Sequence, residues 1–283
     1  MKVIRAGHLG MCFGVRDAIR KVLRAGERER LSVLGELVHN ERVLEQLAGR
    51  GIRLRHEIED VDTPWVAITA HGASERRRNV LRERGLHVVD ATCPIVRAAH
   101  RAVSALAAEG FHPVIVGSAR HVEVRGLTED LAEFDVVLTD DDVTRLEPRH
   151  RFGVAAQTTQ PLERLRHLAS LIQARFPRSE VRVAETVCVP TRLRQEAAEA
   201  LATACDVVVV VGGARSNNTR ELCSTCARHC GKVFLVQGAA DLQPEWFDGA
   251  QLAGLTAGTS TPDEVIDAVE AAMRQLAQRR AVA

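Results

Sequence analysis

The feature that most constrains this chain is a junction that occurs three times. An apolar strand-like run leads through a short turn to a cysteine, and a helical stretch follows. Cys12 follows Lys2-Val3-Ile4-Arg5-Ala6 and stands in Gly10-Met11-Cys12-Phe13-Gly14-Val15. Cys93 follows Val89-Asp90-Ala91-Thr92 and is held against Pro94, which stops the strand and restricts the exit of the chain. Cys188 follows Val181-Arg182-Val183 and precedes Val189-Pro190. Three matched junctions predict three similar α/β units, each delivering one thiolate to a shared centre. The predicted boundaries are 11–93, 94–187 and 188–283, joined by an N-terminal strand within 1–10.

Strands and helices alternate along nearly the whole chain. Predicted strands include 2–6, 31–35, 65–70, 87–89, 113–117, 136–139, 152–156, 207–211, 233–236 and 252–256. Predicted helices fall near 15–27, 40–49, 74–84, 95–108, 161–176, 191–204, 219–229 and 262–278. Alternation of this kind argues for an α/β fold with parallel sheets covered by helices. A chain of 283 residues, 46% of them apolar, suffices for two or three real cores. The formal charge of +1, from 38 basic and 37 acidic residues, gives no footprint for a nucleic-acid partner. The N-terminus enters a strand at once, with no signal or transit peptide, and the longest apolar run, Val207–Val211, is far too short to cross a bilayer. A cytoplasmic protein without membrane contact is expected. In that compartment seven Cys suggest metal ligands or core residues before disulfides.

In parallel α/β sheets ligands bind beyond the carboxyl ends of the strands, and the polar groups of this chain collect there. Val38-His39-Asn40 follows one strand, His71-Gly72 ends another, and His121-Val122-Glu123 comes just after 113–117. Gln157-Thr158-Thr159 ends 152–156, Ser216-Asn217-Asn218-Thr219 follows 207–211, and Ser260 follows 252–256. The set is a group of neutral donors with one carboxylate. A stretch such as Ser216–Thr219 also opens a helix, where free backbone N–H groups favour phosphate; plain N-capping is the alternative there and is compatible with it. A lone cysteine after a strand, or a lone histidine at a strand end, is ordinarily a core or surface residue. Cys12, Cys93 and Cys188, and His39, His71 and His121, depart from that only as sets.

The chain resembles the 4-hydroxy-3-methylbut-2-enyl diphosphate reductases, the IspH/LytB family. The resemblance rests on Gly10–Val15, Val38-His39-Asn40, Ala70-His71-Gly72, Asp90–Pro94, His121–Val124, Gln157-Thr158-Thr159, Cys188 with Arg194-Gln195-Glu196-Ala197, Ser216-Asn217-Asn218 and Thr256–Ser260, in the family's order over nearly the whole chain. It implies a trefoil of three pseudo-equivalent α/β units around a central 4Fe–4S cluster. Cys12, Cys93 and Cys188 would bind three irons and leave the fourth open for the substrate's hydroxyl. It implies diphosphate binding by His39, His71, His121, Ser216, Asn218 and Ser260, with Asn217 adding a donor. Glu123 would deliver the proton and Thr158 would lie beside the substrate oxygen, with His121 at the same site. The expected electron donor is a ferredoxin or flavodoxin, and the expected state a monomer or weak homodimer. Three residues depart from the family pattern: Val122 where Pro is usual, Met11 where Phe is common, and Asp17 where a basic residue is frequent.

Two other functions stay open at this point: a paralogous reductase acting on another phosphorylated allylic alcohol, and a non-catalytic iron–sulfur redox protein. No G-x-G-x-x-G fingerprint follows a strand, which argues against direct nicotinamide binding. Cys223, Cys226 and Cys230 have a spacing close to that of iron–sulfur ligands, yet they also form one face of a helix and read as core. A second cluster or a redox pair is the alternative.

Overall fold

The structure is a computed structural model that describes residues 1–282. The chain opens with β1 (Lys2–Arg5), α1 (Phe13–Gly26), β2 (Leu31–Leu34), α2 (Glu41–Gly49), β3 (Arg53–Arg55), β4 (Trp65–Ile68), α3 (Glu75–Glu83) and β5 (His87–Asp90). It continues through α4 (Pro94–Ala108), β6 (His112–Val116), α5 (Val122–Thr128), β7 (Asp135–Val137), α6 (Asp140–Thr144), β8 (Arg151–Ala156), α7 (Leu162–Arg175) and β9 (Glu180–Val183). The last part holds α8 (Val189–Ala204), β10 (Val207–Val211), α9 (Asn217–Ala227), β11 (Val233–Val236), β12 (Leu252–Ala257) and α10 (Asp263–Val282).

Among the described residues the strands make three four-stranded sheets, ordered β3-β2-β4-β5, β7-β6-β8-β9 and β11-β10-β12-β1, and every pairing is parallel. The three orders are one topology. In each, the first strand of the unit has the second on one side and the third on the other, with a fourth beyond the third. The third sheet takes its fourth strand, β1, from the N-terminus, with Val3 opposite Ala253 and Arg5 opposite Leu255. The three-unit α/β fold read from the sequence is what the structure shows.

The chain divides into two compact units: Met1–Val15, His39–Glu45 and Val189 onward in one, Arg16–Val38 and Gln46–Cys188 in the other. The first holds the sheet ending in β1. Its central strand β10 is five valines in a row, all fully buried. Val207, Val209 and Val211 pack with Phe247, Leu255, Val269 and Met273 on one face. Val208 and Val210 pack with Ala198, Leu201 and Leu222 on the other. A parallel strand covered on both faces needs such a run, because successive side chains point to opposite faces. The second unit holds the other two sheets. There β8 turns Phe152, Val154 and Ala156 toward Leu165, Leu168 and Ile172, and Ala155 toward Val103 and Leu127.

Three local readings are corrected. The segment Val122–Thr128 is the helix α5, and Arg53–Arg55 is an edge strand; neither was expected from the sequence. The strand expected at 136–139 ends at Val137, and Thr139 instead forms a capping box with Asp142 at the start of α6. Among the described residues no helix is long and apolar enough to cross a membrane.

Within the second unit, the segment after α5 caps α3. Asp130 accepts from the amides of Glu75 (2.7 Å) and Arg76 (3.0 Å), and Glu129 accepts from the Ser74 hydroxyl (2.6 Å). These amides have no partner inside the helix, and a carboxylate beside them also favours the helix dipole. Replacing Asp130 by Ala is expected to lower unfolding stability by about 1–2 kcal/mol, read as a lower urea midpoint with an unchanged slope.

Candidate active site

The site residues come from loops at the carboxyl ends of the strands, and the same loop positions recur in each sheet. Five residues past the first strand stand His39, His121 and Ser216, after β2, β6 and β10. Two residues past the third strand stand Ala70, Thr158 and Thr259, after β4, β8 and β12. The two loops flank the point where connections leave in opposite directions, which is where open α/β sheets bind ligands.

Each of the three cysteines expected to be ligands is the residue immediately before a helix, α1, α4 or α8. Each donates its backbone N–H to the carbonyl at the second of those positions. Cys12 bonds Thr259 at 3.0 Å, Cys93 bonds Ala70 at 3.0 Å, and Cys188 bonds Thr158 at 2.9 Å. The three thiols are partly exposed, and none is in a disulfide. Cys205, Cys226 and Cys230 are instead buried among Ala198, Leu201 and Leu222. Burial pushes the Cys205 and Cys223 thiols up to about 11 and Cys226 up to about 12. Cys226 Sγ donates to the Ala198 carbonyl and Cys230 Sγ to that of Lys232. Cys205, Cys223 and Cys226 stay protonated, and all four thiols pack as core, in accord with the helical-face reading. Three partly exposed thiols, each preceding a helix and each with the same anchor, fit the donor set of an iron–sulfur cluster.

The turn into Cys93 is braced by charge. Asp90 accepts from the Thr92 amide (3.0 Å), from Arg78 (2.9 Å) and from Arg97 (3.0 Å), and Arg78 also donates to the Thr92 hydroxyl (3.1 Å). Burial pushes the Asp90 carboxyl upward. The hydrogen bonds from Thr92 and Arg78 outweigh it and hold the group below the usual carboxylate range. The turn into Cys188 is held by Thr186, whose hydroxyl accepts from the Ala156 amide (2.8 Å) and donates to the Ala156 carbonyl (2.6 Å). Arg78 and Thr186 were not singled out in the sequence. A cation in a basic helix and a threonine near a strand carry no signal of their own.

In the second unit Glu123 is 1% exposed. Its carboxylate accepts from the Thr158 amide at 2.6 Å and from the Thr158 hydroxyl. Desolvation pushes its pKa up to about 7, against the opposing pull of those bonds. The Thr158 peptide thus meets Glu123 on its N–H side and the Cys188 amide on its carbonyl side. His121 caps α5: its Nδ1 accepts from the Glu123 amide at 3.1 Å. That bond leaves the ring proton of the neutral imidazole on Nε2. The rings of His71 and His121 meet edge to face, centroids 5.5 Å apart. Val122, where the family pattern has Pro, is the first residue of α5, a position that favours Pro but does not require it. His100 is packed beneath this loop system, against Gly72 and Gly126. Its Nε2 is buried without a hydrogen-bond partner, and a Cβ on Gly72 would lie 3.1 Å from it.

In the first unit Ser216 caps α9, its hydroxyl accepting from the Thr219 amide (3.4 Å), and the Ser260 hydroxyl donates to the His39 carbonyl (3.4 Å). Gly213 cannot carry a side chain, because its Cβ would lie 2.5 Å from that carbonyl. Ser216, Asn217, Asn218 and Ser260 are all buried. The Asn218 amide is buried, and neither its oxygen nor its nitrogen has a hydrogen-bond partner. A buried primary amide left without partners is costly, and this one sits in the first turn of a helix whose N–H groups suit an anion. Asn218 occupies the place that Glu123 holds in the second sheet, seven residues past the first strand.

The LytB protein family model matches residues 3–274. The 4-hydroxy-3-methylbut-2-enyl diphosphate reductase of Syntrophotalea carbinolica is 35% identical over 272 residues, 95% of this chain and 97% of that protein. The protein of the same name from Geobacter sp. strain M21 is 37% identical over 278 residues, 96% of this chain and 98% of its own length. A solved structure of (E)-4-hydroxy-3-methyl-but-2-enyl diphosphate reductase, the terminal enzyme of the non-mevalonate pathway, superposes with a TM-score of 0.70 at 35% identity over 96% of this chain and 99% of that one. The E-1-hydroxy-2-methyl-but-2-enyl-4-diphosphate reductase of Plasmodium falciparum gives a TM-score of 0.87 at 27% identity, covering 94% of this chain and 85% of that one. With its motifs, its three-sheet topology and its similarity along almost the entire length all in agreement, the chain belongs to the LytB family.

Proposed function

We propose that this chain works as its relatives are named, as a 4-hydroxy-3-methylbut-2-enyl diphosphate reductase, using the residues described above. It is an iron–sulfur reductase of the methylerythritol phosphate route to isoprenoids. The allylic C–O bond breaks, two electrons and two protons enter, and water leaves with isopentenyl or dimethylallyl diphosphate as product. The reading assigns Cys12, Cys93 and Cys188 to one 4Fe–4S cluster with one iron free of protein thiolate. When bound, that cluster supplies electrons, received from a ferredoxin or flavodoxin, and a Lewis-acidic iron. The protein acts in the cytoplasm, as a monomer or weak homodimer.

The chain's own groups do the rest. The diphosphate is assigned to His39, His71, His121, Ser216, Asn217, Asn218 and Ser260. The unpartnered amide of Asn218 and the N–H groups opening α9 support this assignment most directly. His121 offers its Nε2 proton as a donor, since Nδ1 is engaged by the Glu123 amide. The observation that carries the reading is Glu123. A hydroxide is a poor leaving group, so the hydroxyl must be protonated as it departs. A buried carboxyl whose pKa is pushed up to about 7 keeps a large protonated fraction at neutral pH, where an ordinary carboxyl keeps almost none. Thr158 fixes that carboxyl with both its amide and its hydroxyl, which supports its place beside the reacting oxygen. An electron carrier or sensor would leave the Asn218 amide and the buried acid without a purpose.

Three tests follow from this assignment. Replacing any one of Cys12, Cys93 and Cys188 by Ser should abolish turnover and weaken iron retention, and three single variants that each keep a full cluster would refute the ligand set. Glu123→Gln should retain cluster and diphosphate binding yet lose about 10²–10⁴-fold in rate with an artificial reductant in excess, while Thr158→Val loses less. Glu123 also makes stability fall as pH rises. Below about pH 4.5 the carboxyl is protonated folded and unfolded alike. Between there and about 7 only the unfolded chain ionises, so the fold loses stability, by on the order of 3 kcal/mol in all, and the loss is constant above. Glu123→Gln should therefore exceed wild type in urea midpoint at pH 8 and match it at pH 4, and wild-type turnover should decline above about pH 7.

A further inference from the structure

The turn into Cys12 differs from the other two. Cys12 lies seven residues past the end of its strand, against three for Cys93 and five for Cys188. Where those turns are braced by Asp90 with Arg78 and by Thr186, this longer one is gripped by a cation from α8. Arg194 is 8% exposed. Its Nε and Nη2 donate to the Gly10 carbonyl at 2.9 and 2.7 Å, Nη2 also reaches the Leu9 carbonyl at 3.5 Å, and Nη1 donates to the Pro190 carbonyl at 2.9 Å. Gly10 is fixed from other sides as well. It has φ +71°, its amide donates to the Ala257 carbonyl at 3.1 Å, and a Cβ there would lie 2.7 Å from Ile266 Cδ1. The corresponding position in the other two cysteine-led helices, six residues past the cysteine, is Ala18 or Ala99. The arginine is therefore no part of the construction common to the three units.

A guanidinium stays charged at any working pH and is costly to bury unless its donors are satisfied. Backbone carbonyls satisfy them here without a proton being exchanged. We propose that Arg194 is a positioning residue of the iron–sulfur centre: it ties the Cys12 turn to the first turn of α8, and its fixed positive charge makes the cluster easier to reduce. This rests on the assignment of Cys12 to the cluster. The bridging needs the planar fork, because one side chain spans Gly10 and Pro190 at once. The electrostatic effect needs only the charge, since a thiolate-bound cluster gains an electron more readily beside a buried cation.

The two contributions separate in the variants Arg194→Lys and Arg194→Gln. Both would be purified anaerobically as holoprotein beside wild type, with iron and sulfide counted, midpoint potential read by spectroscopic redox titration, and iron loss to a chelator timed. Lys keeps the charge but not the fork: iron should leave several-fold faster while the midpoint stays close to wild type. Gln loses both: iron loss is faster, and the reduced-to-oxidised ratio at the wild-type midpoint falls about tenfold, or 59 mV for a one-electron couple. If Arg194→Gln fails to accumulate as folded protein, the chelator rate of Arg194→Lys decides. Variants matching wild type in both potential and iron loss overturn the role of Arg194 while leaving the cluster assignment standing. A wild-type protein that binds no cluster after anaerobic reconstitution overturns the assignment itself, and this inference with it.

Discussion

The hydrogen bond from each cysteine amide to the carbonyl two residues past the third strand is the constraint on which the placement of the three thiols depends. It makes the position of each thiol a property of the sheet. The third strand is central and buried on both faces, as the exposures of β4, β8 and β12 show. A backbone bond to its end inherits that rigidity, whereas a cysteine carried on an unanchored loop would not. The same carbonyl-bearing segments also hold Thr158 and, one residue on, His71 and Ser260. The thiols and the side chains assigned above to the substrate are thus set by adjacent peptides.

The threefold scaffold is populated by different chemistry at matched places. The position that caps or just precedes the helix after the first strand is His39, His121 or Ser216, and two residues further stand Glu41, Glu123 and Asn218. Only one of those three is both acidic and deeply buried: Glu41 is paired with Arg215 at 3.5 Å, and Asn218 carries no charge. At these three places one repeated backbone geometry therefore carries a single raised carboxyl and a single buried amide without hydrogen-bond partners.

Much of this was legible in the sequence, for identifiable reasons. The cysteine junctions could be read because a strand, a thiol and a helix start each leave a local mark. The valine run of β10 could be read because burial on both faces needs no alternation. The short helix α5 could not. Val-Glu-Val-Arg-Gly has β-branched residues and a glycine where helices disfavour them, and its helicity follows from the His121 cap and from the packing of Val124 and Leu127 against Ala99 and Val103. Arg53–Arg55 is charged at both ends, as suits an edge, and its pairing with β2 is tertiary. The braces behind the site join residues apart in sequence, Arg78 with Asp90 at a separation of 12 and Arg194 with Gly10 at a separation of 184. Arg194 was noticed within a motif, but nothing local told what it holds.

The placement of β1 gives the fold its order of completion. β1 pairs with β12, and Cys12 bonds the carbonyl of Thr259, so the first cysteine in the chain is anchored just past the last of the described strands. Contacts at such separation bear the largest loop-closure cost and form late unless the intervening chain has already folded. The anchors of Cys93 and Cys188 lie within a few tens of residues and can form with their own sheets. Cys12 thus reaches its native anchor only when the third sheet is complete. The side chain that grips its turn, Arg194, comes from the helix leading into that sheet. By loop-closure cost the Cys12 anchor is the most expensive of the three to form, and it belongs to the same closure that lays β1 against β12.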